Sequence, residues 1–183
     1  MPKLFVAIDI PADARATLVR LQPPAAPGLR RSEPNQTHLT LHFLGEADVE
    51  RTSAALSTVD APAFNQTFAG VGQFPSAGGS TTLWAGVPAA PGLLQLRAAI
   101  ANALAGDGFR PEARPYNPHL TLARCEPGFP AGVIEEFLRT HSQFSLSAVP
   151  ITAFGLFSTT LIADVPVYIR ERGFLLQSAA RHS

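Results

Sequence analysis

The tetrapeptide HLTL stands at residues 38–41 and recurs unchanged at residues 119–122 of this 183-residue chain. Its alternation of polar and apolar residues predicts a β-strand, because successive side chains of a strand point to opposite faces. Each copy would bury its two leucines and present its histidine and threonine together, ~7 Å apart at Cα from the ~3.3 Å rise per residue. The repeat therefore predicts two equivalent strands that carry the same polar pair.

Strand and helix patterns surround the two repeats without a regular β-α-β order, and several strands adjoin as hairpins. This arrangement is typical of an α+β fold rather than of a parallel sheet. Because no low-complexity linker divides the chain, we expect a single domain over residues 1–183. Strands are predicted at residues 4–10, 37–44, 63–74, 80–87, 117–124, 144–149, 151–158 and 165–176, and helices at 11–22, 46–59, 91–105 and 131–141.

The composition narrows the class of function. Apolar residues make up 46% of the chain and charged residues 15%, which predicts a sizeable core rather than disorder. The 14 basic and 14 acidic residues give a net charge of zero, whereas a protein that coats long nucleic acid needs a basic excess. A single cysteine, Cys125, excludes an internal disulfide and a cysteine-rich metal site. Without a signal-peptide pattern or an apolar run of ~20 residues, we expect a cytoplasmic protein that does not contact membranes.

If an internal pseudo-twofold axis brings the two repeat strands together, their two imidazoles and two hydroxyls share one cleft. This set of groups suits the cleavage of a phosphodiester. One histidine can take a proton from the attacking water while the other gives a proton to the departing ribose oxygen, since a pKa near ~6.5 permits both states near neutral pH. The hydroxyls can donate to the non-bridging phosphate oxygens. A single His-x-Thr is more often a half-buried polar face, but two exact copies favour a shared site. Because no carboxylate or cysteine stands at ligand spacing from these histidines, we predict no metal and no other cofactor.

Five segments, two of which contain the repeats, resemble the two-histidine (2H) phosphoesterases. Specifically, they resemble the RNA 2′,3′-cyclic phosphodiesterases formerly called 2′-5′ RNA ligases. The resemblance implies an α+β fold of two lobes related by a pseudo-twofold axis. Antiparallel-rich sheets would surround a central cleft, with the helices outside and one His-x-Thr strand in each lobe. The segments are LFVAIDIP (4–11), EPNQTHLTLHFLGE (33–46), GQFPSAGGSTTLWAGV (72–87), YNPHLTLAR (116–124) and FGLFSTTLIADVPVYIRERGFLL (154–176).

The resemblance also implies a role for each site residue. His38 would be the general acid that protonates the leaving O3′, and His119 the general base that activates water, which gives a 2′-phosphate product. Thr40, Thr121 and Arg124 would bind the phosphate. The nearly symmetric repeats do not by themselves say which histidine is the acid. The implied substrate is RNA or an oligonucleotide with a 2′,3′-cyclic phosphate end, and we expect a monomer.

Strict alternation makes two further predictions about the strand faces. It places His42 beside His38 and Thr40, ~13 Å from His38 at Cα, where the rim of the cleft would meet a longer RNA. It places Arg124 on the face opposite to His119, so that a phosphate contact by Arg124 requires a bulge or a strand end. Three aromatic side chains are predicted to pack in the core: Phe43, Trp84 and Phe154.

Two positions depart from the family pattern. His42 stands where the family often has arginine or lysine after the first signature. Ahead of that signature, Arg30, Arg31 and Ser32 stand where a tryptophan is common. These departures concern substrate preference rather than the type of reaction.

Two other functions use the same residues. Microscopic reversibility permits 2′-5′ ligation at this site, although water at high concentration favours hydrolysis. A non-catalytic binder of RNA ends or nucleotides is the other alternative, and two proton carriers are more than binding requires.

Overall fold

The computed structural model describes residues 1–163 and 165–178 of the chain. These residues form the α+β fold that the sequence predicts, with ten strands and four α-helices. The strands are β1 (Lys3–Asp9), β2 (Leu29–Arg31), β3 (His38–Glu46), β4 (Phe64–Ala69), β5 (Val71–Pro75), β6 (Thr81–Gly86), β7 (His119–Cys125), β8 (Ser145–Ile151), β9 (Ala153–Ile162) and β10 (Val165–Leu175). The helices are α1 (Ala12–Val19), α2 (Val49–Leu56), α3 (Pro91–Leu104) and α4 (Ala131–Thr140).

The predicted elements differ from the observed ones at two places. The predicted strand over residues 63–74 is two strands, because the chain turns at Gly70 with a φ of 67°, a conformation that glycine adopts without a Cβ clash. The short strand β2 was not predicted, since it lies in a Pro-rich segment and owes its conformation to pairing with β7. Pairing across a sheet is not visible in a local pattern, and three residues are too few for alternation to register.

Two four-stranded antiparallel sheets contain the repeats. Their strand orders are β10-β9-β1-β3 and β2-β7-β6-β5, while β4 and β8 form a separate pair. The two repeat strands hold equivalent positions, since β3 has β1 and then β9 beside it, and β7 has β6 and then β5. Cα atoms of β3 and β7 come within 8 Å of each other. The two repeat strands thus lie near each other in equivalent positions of different sheets, and the predicted pseudo-twofold relation of the two lobes is confirmed.

Leucines from both repeats hold these strands in the core. Leu39, Leu41, Leu120 and Leu122 are at most 2% exposed and belong to one apolar cluster that joins the two sheets. Fully burying a leucine side chain stabilises a fold by about 1.5–3 kcal/mol. The four leucines thus fix which face of each strand the histidine and threonine occupy.

The helices pack on this core through apolar residues spaced along one helix face, as α3 shows. Pro91 occupies the first turn of α3, where its missing N–H costs nothing. The buried face of α3 repeats at intervals of three and four residues, as an amphipathic helix requires. Among the described residues, no helix is both long and apolar enough to cross a bilayer. The buried residues of α3 are Leu93, Leu96, Ile100 and Leu104.

Candidate active site

A β-bulge in β7 brings Arg124 to the face that carries His119 and Thr121. In the pairing of β7 with β6, Leu122 has no partner, so β7 contains one extra residue there. Leu122 and Ala123 are consequently both buried, and Arg124 is exposed. A one-residue insertion reverses the alternation of all later side chains. The bulge that the predicted contact of Arg124 requires is therefore present.

The same bulge in β3 shows that the prediction for His42 is wrong. Leu41 is skipped in the pairing of β3 with β1, which turns His42 into the core, where it is 4% exposed. Phe43 takes the cleft face instead and is 62% exposed, so the prediction of a core Phe43 is wrong as well. Phe43 thus occupies in β3 the position that Arg124 occupies in β7.

His42 makes a structural contact rather than a contact with solvent. Its Nε2 donates to the backbone carbonyl of Arg97 at 2.8 Å, since a carbonyl oxygen can only accept. In return, Nε of Arg97 donates to the carbonyl of Leu41 at the bulge, at 3.1 Å. Burial lowers the pKa of His42, so this imidazole stays neutral and ties β3 to α3.

One cavity of about 280 Å³ lies between the two repeat strands. All five residues that the sequence proposes for the site line it, together with Phe5 from β1 and Tyr168 from β10. The two histidines therefore face a common cavity, and so do the three residues that are predicted to bind the phosphate. The five are His38, Thr40, His119, Thr121 and Arg124.

Each cavity histidine is held through its Nδ1 by the chain two residues before it. Nδ1 of His38 donates to the carbonyl of Gln36 at 3.0 Å, and Nδ1 of His119 donates to the carbonyl of Asn117 at 2.8 Å. A carbonyl accepts only, so in both rings the proton of the neutral form is on Nδ1. In the part of the chain that the structure describes, Nε2 of each ring has no hydrogen-bond partner and can take up or release a proton.

Three aromatic rings surround His38. The ring centroids of Phe5 and Tyr168 each lie 4.8 Å from the imidazole, with Tyr168 edge-on, and Phe157 stacks at 6.0 Å. Burial among these rings lowers the pKa of His38 from 6.5 to about 4, against smaller raising effects of the Gln36 carbonyl and Asp9. In the substrate-free protein at neutral pH, His38 is therefore neutral.

Gln36 connects these aromatic rings to His38, and sequence patterns had not singled it out. Its amide Oε1 accepts from the backbone N–H of Tyr168 at 2.6 Å, and its Nε2 donates to the Tyr168 carbonyl at 3.4 Å. Its own carbonyl holds Nδ1 of His38. One residue thus holds both the imidazole of His38 and the backbone of Tyr168, whose ring packs against it.

His119 stands in a more open setting on the opposite strand. Phe74 meets its ring edge-on at a centroid distance of 4.8 Å, and Trp84 lies 6.4 Å away. Trp84 and Phe74 pack against each other at 5.0 Å, beside the cavity rather than within the main core. The two lobes therefore place aromatic rings against both histidines, but more of them against His38.

The remaining polar groups of the cavity can bind an anion. The hydroxyls of Thr40 and Thr121 flank the histidines on the same strand faces. Arg124 is exposed, and its Nη1 donates to Oγ1 of Thr82 at 3.2 Å, which orients the guanidinium. Among residues 1–163 and 165–178, no three histidine, cysteine, aspartate or glutamate side chains cluster as metal ligands do. Metal independence stays a prediction.

The burial of His38 predicts an unusual pH dependence. kcat/KM reports the ionisation of the free enzyme, and the predicted acid–base mechanism needs one neutral and one protonated imidazole. Below its pKa of about 4 the ring of His38 is protonated in the free enzyme, so a limb of the kcat/KM profile should lie near pH 4. An NMR titration of His38 should have its midpoint there, and Phe157→Ala, which opens the ring wall, should raise the midpoint. A midpoint at 6.5 or above in the free protein would contradict this account.

Comparison with known proteins identifies the family. The model of the 2′-5′ RNA ligase superfamily matches residues 10–161. The chain belongs to that superfamily. The RNA 2′,3′-cyclic phosphodiesterase of Archaeoglobus fulgidus is 30% identical over 94% of this chain and 99% of its own. That of Thermus thermophilus is 33% identical over 96% of this chain and 90% of its own.

Solved structures agree with this family assignment. The crystal structure of Escherichia coli LigT complexed with 3′-AMP has a TM-score of 0.70 and 27% identity, over 96% of this chain and 98% of that one. A crystal structure of a Thermus thermophilus protein has a TM-score of 0.75 and 27% identity, over the same shares of the two chains. The predicted 2H phosphoesterase family, its two-lobed α+β fold and the class of enzyme, a phosphodiesterase, are confirmed. The roles of the individual site residues stay predictions.

Proposed function

We propose that this member of the superfamily hydrolyses 2′,3′-cyclic phosphate ends of RNA to 2′-phosphomonoesters, with His38 and His119 as general acid and base. One observation carries the proposal. Two imidazoles, each tethered through Nδ1 to a carbonyl, share one cavity with two threonine hydroxyls and a guanidinium. The two relatives described above are named RNA 2′,3′-cyclic phosphodiesterases, which supports the substrate and the bond that is cleaved.

The reaction needs two proton transfers around one phosphorus atom. Nε2 of His119 takes a proton from water as the water oxygen bonds to phosphorus, and the bond from phosphorus to O3′ breaks. Nε2 of His38 gives its proton to O3′, which leaves the phosphate on O2′. Thr40, Thr121 and Arg124 donate to the non-bridging oxygens, whose charge they stabilise.

The different surroundings of the two histidines support this division of roles. A general base must meet water that enters from solvent, and the more open His119 suits that role. His38 lies among aromatic rings and is neutral in the free protein. An anionic phosphate beside it raises its pKa, because a nearby negative charge favours the protonated form. His38 would thus acquire its proton as the substrate binds and lose it to O3′.

One experiment distinguishes hydrolysis from the two alternative functions, 2′-5′ ligation and non-catalytic binding of RNA ends. A 5′-labelled oligonucleotide with a 2′,3′-cyclic phosphate end is incubated with the protein, and the products are resolved by size and end group. We expect conversion to a phosphomonoester of unchanged length. A complex without conversion would support the non-catalytic binder, and a longer product formed with a 5′-hydroxyl partner would support ligation.

A further inference from the structure

The strand β2 brings two further arginines, Arg30 and Arg31, to the cavity of the candidate active site. Arg30 of β2 pairs directly with Arg124 of β7, so the two side chains leave the sheet on the same face. Arg30 is exposed and lines the cavity that contains His119 and Thr121. Among the described residues, no strand of the other sheet corresponds to β2, because β3 is an edge strand there. The basic pair therefore belongs to one side of the cleft.

Arg30 and Arg124 lack the acidic partners that other arginines have. In the described part of the chain, no carboxylate oxygen lies within 4 Å of either guanidinium, although Glu33 lines the same cavity. Like charges that face each other across two strands destabilise a sheet. A bound anion would remove this repulsion. The arginines with partners are Arg51, Arg114, Arg139, Arg170 and Arg172.

The opposite side of the cleft has fewer arginines that are available to bind the phosphates of an RNA chain. A second cavity of about 280 Å³ lies there, and it shares Thr40 and His119 with the first. Its Arg97 guanidinium stacks 4.2 Å from the ring centroid of Tyr116 and donates to a backbone carbonyl. Its other arginine, Arg114, lies 3.7 Å from a glutamate carboxylate. Both guanidinium groups on this side are therefore engaged, whereas on the β2 side Arg124 has a hydrogen bond to Thr82, and neither Arg124 nor Arg30 has a carboxylate partner among the described residues.

We propose that Arg30 binds the phosphodiester on the 5′ side of the terminal nucleotide, so that the RNA chain leaves the site across β2. The proposal rests on the proposed function, since it places the cyclic phosphate between His38 and His119. One nucleotide then connects the two sites, because its ribose carries the cyclic phosphate on O2′ and O3′ and the next phosphate on O5′. The site thereby prefers oligonucleotide ends over free cyclic nucleotides.

Substitution of Arg30 by alanine tests this subsite with two substrates. With a cyclic-phosphate oligonucleotide, Arg30→Ala should raise KM by about 10-fold, the lower range for a charge-assisted hydrogen bond. With adenosine 2′,3′-cyclic phosphate, which has a free 5′-hydroxyl, kcat/KM should stay within about 2-fold of wild type. The slope of log K against log salt for a labelled oligonucleotide that ends in a 2′-phosphate should fall in magnitude by about 0.7, the value for one phosphate contact with a single strand.

A matched variant shows whether the effect is local. Arg110 is exposed and outside both cavities, so Arg110→Ala should leave KM and the salt slope unchanged. Equal losses on both substrates would overturn the proposal, since Arg30 would then act on the reacting phosphate. No loss on either substrate would overturn it as well. Wild-type turnover of the mononucleotide tests the proposed function separately, because that substrate has no phosphate for Arg30.

Discussion

Replacement of either cavity histidine by alanine should lower kcat by about 10²–10⁴, the usual contribution of a general acid or base. His38→Ala removes the group that protonates O3′, and His119→Ala removes the group that activates water. The two act on one transition state, so the double variant should lose much less than the product of the single effects. Steady-state rates with a cyclic-phosphate oligonucleotide measure all three variants.

His141 provides a matched histidine control. Its ring packs on Phe137 at 5.5 Å, outside both cavities. His141→Ala should therefore turn over substrate at the wild-type rate. Wild-type activity in His38→Ala or in His119→Ala would remove that histidine from the mechanism.

The second large effect is expected at Arg124. Loss of an oriented donor to the developing charge costs about 10²–10³ in kcat, so Arg124→Ala should fall in that range. Arg124→Lys should also be impaired, since an ammonium does not reproduce the planar fork of donors. Rates of both variants on adenosine 2′,3′-cyclic phosphate isolate the reacting phosphate from contacts with a longer chain.

Thr82→Val gives the control for Arg124. Thr82 orients the guanidinium through one hydrogen bond at 3.2 Å and does not line the cavity. Its loss should reduce kcat far less than Arg124→Ala does. Full activity of Arg124→Lys together with full activity of Arg124→Ala would show that Arg124 does not touch the reacting phosphate.

The HLTL repeat correctly predicted most of the candidate site. The alternation within HLTL correctly separates the buried leucines from His38, Thr40, His119 and Thr121, because burial of apolar side chains fixes a strand face locally. The alternation did not predict which face the residues after each repeat occupy. A bulge depends on the pairing with the neighbouring strand, and the leucines at 41 and 122 do not indicate one.

The bulges explain why one prediction was met and two were wrong. Directly after each bulge the side chains change face, so Arg124 and Phe43 lie on the cleft side of their strands while His42 lies in the core. The aromatic wall around His38 was also beyond local patterns, since Phe5, Phe157 and Tyr168 come from three strands distant in sequence. Tyr168 and Phe5 are placed at the cleft only by the strand order of the sheet.

The position of the phosphate in the product tests the central claim most directly. The protein is incubated with adenosine 2′,3′-cyclic phosphate in water enriched in oxygen-18, and the product is examined by phosphorus NMR and mass spectrometry. If His119 activates water and His38 protonates O3′, the product is the 2′-phosphate with one heavy oxygen on phosphorus. A 3′-phosphate product, or an unchanged cyclic phosphate, would contradict the account.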